Sequence, residues 1–111
     1  MVRFNEHNWI KVGLLSPDPN DLQIGAVVSN NGSCDWSTNR INSDNLAIWF
    51  KLRRKGCDFV AFYSYDGVFF DQVRMIHFAK ANNFAKVGVY ACSPKNENFE
   101  CVLEYLDVDV R

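Results

Sequence analysis

No stretch of this chain approaches the roughly eighteen consecutive apolar residues that a membrane-spanning helix needs, so a membrane is not among the expected partners. Charge of one sign is equally scarce. Twelve Lys and Arg stand against 13 Asp and Glu, which leaves no long-range field to draw in nucleic acid, and none is expected as a ligand. Cys34, Cys57, Cys92 and Cys101 sit singly, with no CxxC pair and no cluster of histidines, so zinc-site spacing is absent and no metal or cofactor is implied. They read as small buried apolar residues of a reducing compartment. Residues 1–7 lack the apolar stretch of a secretory signal, and a cytoplasmic location is the expectation. Asn31-Gly32-Ser33 matches a glycosylation acceptor formally but reads as a turn. Helical signal is also nearly missing: residues 77–83 alone have helical character, and they are too short and too Asn-rich for more than one turn.

What is present is strand. With 48% apolar and 14% aromatic residues in 111, the chain can bury a core as one domain spanning residues 1–111. Residues 46–52, 58–64 and 68–73 are aromatic and β-branched runs split by Lys55-Gly56 and Asp66-Gly67, which is a hairpin pattern. Residues 9–15 and 22–29 make two earlier strands, joined by a loop at 16–21 that holds two prolines. Residues 30–45 read as the longest irregular stretch, and such a loop inside a compact domain is usually functional or packed by its own side chains. Residues 86–92 and 99–108 complete about seven strands. The expected fold class is all-β, a two-sheet antiparallel sandwich or jelly roll.

No residue set dictates a reaction. Trp9, Trp36 and Trp49 with Tyr63, Tyr65 and Tyr90 supply flat rings that can stack on sugars or fill a β-sandwich core. Trp49, inside an apolar run, reads as core, whereas Trp36, between Asp35 and Ser37, fits a binding role and a loop-anchoring role equally. Glu100 and Glu104 share one face of a strand, but about 13 Å of backbone separates them. A glycosidase needs two carboxylates facing each other across a cleft, so a solvated face is the plainer reading. His7 and His77 have no nucleophile motif nearby, and Arg53-Arg54-Lys55 decorates a turn or forms an anion site. Lys11 interrupts an apolar strand, and alternation puts it beside Trp9, as a snorkelled surface pair or part of a polar pocket.

Six blocks in order carry a family resemblance: Arg3-Phe-Asn-Glu-His-Asn-Trp-Ile-Lys11, Ser33-Cys-Asp-Trp-Ser37, Ile48-Trp-Phe-Lys-Leu-Arg53, Tyr63-Ser-Tyr-Asp-Gly67, Val87-Gly-Val-Tyr-Ala-Cys-Ser-Pro94 and Phe99-Glu-Cys-Val-Leu-Glu-Tyr-Leu106. The chain resembles the concanavalin A-like domain family, largely of unknown function, that includes the regulation of enolase protein. The resemblance implies a concanavalin A-like jelly roll that lacks several strands found before the equivalent of Arg3. Sheet edges left uncovered by that loss are expected to pair with a second copy, giving a homodimer, or with a separate protein.

The same resemblance implies a groove on one sheet. Its candidates here are Glu6, Trp9 and Lys11, then Asp35, Trp36 and Ser37, then Arg53 and Tyr63. The bland alternative is that Trp9, Asp35 and Trp36 mainly fix the long loop against the sheet. The expected function is a non-catalytic binding module that takes carbohydrate. A protein-interaction regulator of a metabolic enzyme, acting through exposed edge strands, is the second reading, and a glycoside hydrolase-like enzyme the third. A fold by itself establishes none of them.

Overall fold

In a computed structural model of the chain, residues 1–18, 21–41, 47–91, 102–103 and 105–108 are described. They form eight strands in two antiparallel sheets: β1 (Val2–Asn5), β2 (Asn8–Asp18), β3 (Asp21–Asn30), β4 (Ser33–Arg40), β5 (Trp49–Lys55), β6 (Asp58–Ser64), β7 (Asp71–His77) and β8 (Lys86–Val87). The larger sheet runs β4-β3-β2-β1-β8 and the smaller β5-β6-β7, an all-β sandwich. Its core is Val2 of β1, Ile10 and Val12 of β2, Val28 of β3, Phe59 and Ala61 of β6, Ile76 of β7, and Phe78 just beyond it. The period of two explains these positions on β1, β2, β3 and β6, where successive side chains point to opposite faces and one set is apolar, whereas β7 adds Ile76 alone, with Arg74 two residues before it.

Several elements depart from the sequence-based expectation. Residues 33–40 form β4 and not part of a loop. The turn Asn31-Gly32, with φ of 54° and 87°, folds the chain back, and β4 then pairs with β3 from Asn30↔Ser33 to Gln23↔Arg40. Being last in the sheet, β4 buries little, so its two faces show no apolar alternation. The loop expected over 16–21 is largely taken up by β2 and β3, which meet again at Asp18↔Asp21. Of the strand expected over 86–92, only Lys86–Val87 is strand among the described residues. In the closing stretch, 102–103 and 105–108 are not strand, while Phe99, Glu100, Cys101 and Glu104 fall outside the described residues, as do Leu46 and Cys92. Cys34 is exposed, against the expectation of a buried residue, because it lies on the outward face of the edge strand β4.

The strand expected over 68–73 starts three residues later, at Asp71, for a local reason. Ser64 Oγ accepts the amides of Asp66 (3.2 Å) and Gly67 (2.9 Å) and donates to Asp66 Oδ1 (2.9 Å). That carboxylate oxygen in turn accepts the amides of Val68 (2.8 Å) and Phe69 (2.9 Å). Backbone donors so engaged cannot join a ladder. The amides of Phe69 and Val68, then the Ser64 hydroxyl, hold the Asp66 carboxyl below its ordinary pKa. A lowered folded-state pKa gives stability that is complete above the unfolded value of about 4 and disappears as pH falls through the folded value. Urea unfolding of the wild type is therefore expected to lose ground to Asp66→Asn below about pH 4; parallel pH profiles for the two would refute this.

Candidate functional site

The pairing register assembles a surface on the larger sheet. Val2, Ile10, Val12 and Val28 face the core, so the alternate residues face outward. Outward rows then run Arg3–Trp9–Ser29–Cys34, Lys11–Val27–Trp36 and Gly13–Gly25–Thr38 across the strands. Trp9, Lys11 and Trp36 thus share one face, with Lys11 and Trp36 two strand spacings, about 10 Å, apart. Lys11 Nζ lies 4.8 Å from the centre of the Trp9 ring and 5.5 Å from that of Tyr90. The quadrupoles of both ring faces attract the ammonium. Trp36 is 64% exposed, so its ring is available to solvent.

Two glycines make this surface flat. Gly13 and Gly25 are direct cross-strand partners, and a Cβ on Gly13 would stand 2.8 Å from Tyr90 Oη. On Gly25 it would stand 2.7 Å from Leu15 Cδ1 and 3.2 Å from Trp36 Nε1. The bare strip therefore lets Tyr90 and Trp36 approach the backbone from either side. Sequence reasoning passed over both glycines, although a lone glycine inside a strand pattern is itself a signal of close approach. It named Tyr90 among the rings that could stack on sugars but not among the groove residues, because residue 90 reaches Lys11 only through the tertiary fold.

The remaining candidates go elsewhere. Glu6 lies in the turn between β1 and β2, its carboxylate 3.2 Å from His7 Nε2, while its carbonyl accepts Trp9 Nε1–H at 3.3 Å. That turn borders a cleft of about 330 Å³ lined by Asn5, Glu6, His7, Asn8, Asn31 and Lys80. The buried Asn8 amide shapes it, donating to Asn5 Oδ1 (3.2 Å) and accepting the Asn31 amide (3.0 Å). Asp35 and Ser37 alternate with Trp36 and face the smaller sheet, where Asp35 lies 3.7 Å from Arg74. Ser37 Oγ is buried without a hydrogen-bond partner among the described residues. Tyr63 is half-buried on β6, edge-on to Tyr65 at 5.6 Å; burial first, then Tyr65 and Asp71, raises its pKa. Arg53 stands exposed on the outward face of β5. The structure thus groups Trp9, Lys11 and Trp36, places Glu6 at their margin, and separates Asp35, Ser37, Tyr63 and Arg53 from them. Trp49, read as core, is 39% exposed and packs on Tyr105 with ring centres 5.6 Å apart.

Residues 1–110 match a protein family described as "Protein of unknown function (DUF1349)". A solved structure described as that of a functionally unknown protein from Saccharomyces cerevisiae is similar, with a TM-score of 0.61 at 25% identity. The match covers 69% of this chain and 40% of that one, so the chain spans less than half of that relative's length. Among curated proteins nothing matches.

Proposed function

The chain belongs to the DUF1349 family of proteins of unknown function, and from that membership and the geometry above we propose that it is a non-catalytic carbohydrate-binding module of the concanavalin A-like jelly-roll type, acting in the cytoplasm. The observation that carries this reading is the outward face of the larger sheet, where Trp9, Lys11, Tyr90 and the exposed Trp36 surround the Gly13–Gly25 strip. Ring faces stack on the apolar C–H faces of a sugar, and an ammonium attracted to those rings donates hydrogen bonds to hydroxyls. The described outward rows, from Arg3–Trp9–Ser29–Cys34 to Leu15–Gln23–Arg40, hold no carboxylate. A glycoside hydrolase works through a facing pair of them, which is why binding without cleavage is the reading preferred here.

Tryptophan fluorescence titration with neutral oligosaccharides of gluco, galacto and manno configuration tests it. A saturable response is expected, weakened about tenfold by Trp36→Ala and further by Lys11→Ala. Affinity retained after both replacements would sink the assignment.

A further inference from the structure

We propose that the free edge of β5 docks an extended acidic segment of a partner protein, added as a strand, with carboxylates at alternate positions facing Lys51, Arg53 and Lys55. This surface is on the smaller sheet and is independent of the sugar-binding reading. Among the described residues β5 ends the order β5-β6-β7, so its far side offers backbone donors and acceptors to another chain. Phe50 and Leu52 pack against the core, and alternation therefore lines up Lys51, Arg53 and Lys55 on the outward face. Like charges repeat there about every 6.6 Å, which is the same repeat as acidic side chains at every second position of an added strand. Directly opposed side chains in such a pair stand about 5 Å apart at Cβ, within reach of ion pairing.

Among the described residues the stripe has no internal counterion. No carboxylate pairs with Arg53 or Lys55 among the described residues, and Asp58, the cross-strand partner of Lys55, is already engaged by His77 Nδ1 at 2.7 Å. Lys51 Nζ is positioned by the rings of Phe70 and Phe62, at 4.1 and 4.9 Å. Charges on an edge strand also guard against self-pairing. Guarding alone does not require three of the four to repeat on one face with no acid between them, the fourth, Arg54, lying over the core rings, in a chain whose overall net charge is −1. An acidic strand would relieve their mutual repulsion and take up the unused backbone groups together.

The probe is a fluorescein-labelled heptapeptide alternating Thr with three Glu, compared with its Gln counterpart and with an isomer that has the three Glu adjacent. The alternating peptide should bind about tenfold more tightly than either control. Arg53→Gln with Lys55→Gln should remove that advantage, since both side chains are exposed and their loss leaves the core intact. On binding, alternate amides of β5 should gain protection from hydrogen exchange. Equal binding of the adjacent-Glu isomer, or binding without protection of β5, overturns the proposal. So does protection already present in dilute free protein, which would mean that the chain's own segment near Tyr105, packed on Trp49, closes the edge. Protection that rises with protein concentration alone would assign the edge to a second copy and overturn it equally.

Discussion

Replacing Phe78 by Ala is expected to lower the unfolding free energy by about 3–5 kcal/mol. The side chain is fully buried immediately after β7, and its ring meets Phe4 at 5.6 Å and Phe59 at 5.5 Å, with interplanar angles of 65° and 86°. Phe4 and Phe59 close the triangle at 5.8 Å and 80°. Phe4 comes from β1 of the larger sheet and Phe59 from β6 of the smaller, so these edge-to-face contacts join the two layers. Each is worth about 0.5–1.5 kcal/mol beyond area burial. Local collapse cannot refill the space, because the backbone at 78 is fixed by its amide donating to Cys57 O (2.9 Å) and its carbonyl accepting the Ala81 amide (3.1 Å). Arg54 adds a lid, its guanidinium 5.2 Å from the Phe4 ring and 5.5 Å from Phe59, donating to the carbonyls of Gly56 and Asn82. Domains of this size have only about 5–15 kcal/mol of net stability. The urea midpoint should therefore fall by about a fifth or more with the slope unchanged. Phe69→Ala, at a side chain 80% exposed, should stay within about 0.5 kcal/mol of wild type. A Phe78 variant as mild as the Phe69 one would show that the triad does not hold the layers together.

Parts of this architecture were legible in the sequence because one face of a strand was buried. β6 spans the same residues, 58–64, that its apolar run marks, and β2 and β3 contain the runs at 9–15 and 22–29. The period of two that marks a buried face also placed Lys11 beside Trp9. β4 was not legible, because an edge strand is held mainly by its ladder to a neighbour and its own side chains report little of that. Trp36 joins Lys11 only through the β4 register, so the strand pattern alone did not show the shared face and only the family resemblance put the two residues on one sheet. β7 was misplaced for the opposite reason: residues 68–70 have strand-like side chains, but Ser64 and Asp66 capture the nearby backbone amides. Propensity describes how a segment fits a pleated surface, and a hydrogen-bonded turn overrides it.

Gly67→Ala is expected to cost about 2–5 kcal/mol, the sum of a backbone term and a packing term. Gly67 has φ of +77°, where a Cβ meets the following carbonyl at a cost of about 1–2 kcal/mol. That Cβ would also stand 2.7 Å from Cε2, 3.0 Å from Nε1 and 3.1 Å from Cδ2 of Trp49. These are atoms of a rigid bicyclic ring, so no flexible tip can yield. The ring is backed by Tyr105, and moving it disturbs the first residue of β5 and the contact that brings residue 105 to the sheet. Gly56→Ala is the internal control: its φ is +62°, but nothing lies within 4 Å of the added carbon. Only the backbone term applies there, so its loss should be about 1–2 kcal/mol. The difference between the two variants in urea unfolding isolates the Trp49 contact, and a Gly67→Ala, Trp49→Ala double variant should recover most of that difference. Equal losses at the two glycines would mean that the indole moves aside freely, in which case the 65–70 turn is held by its hydrogen bonds alone.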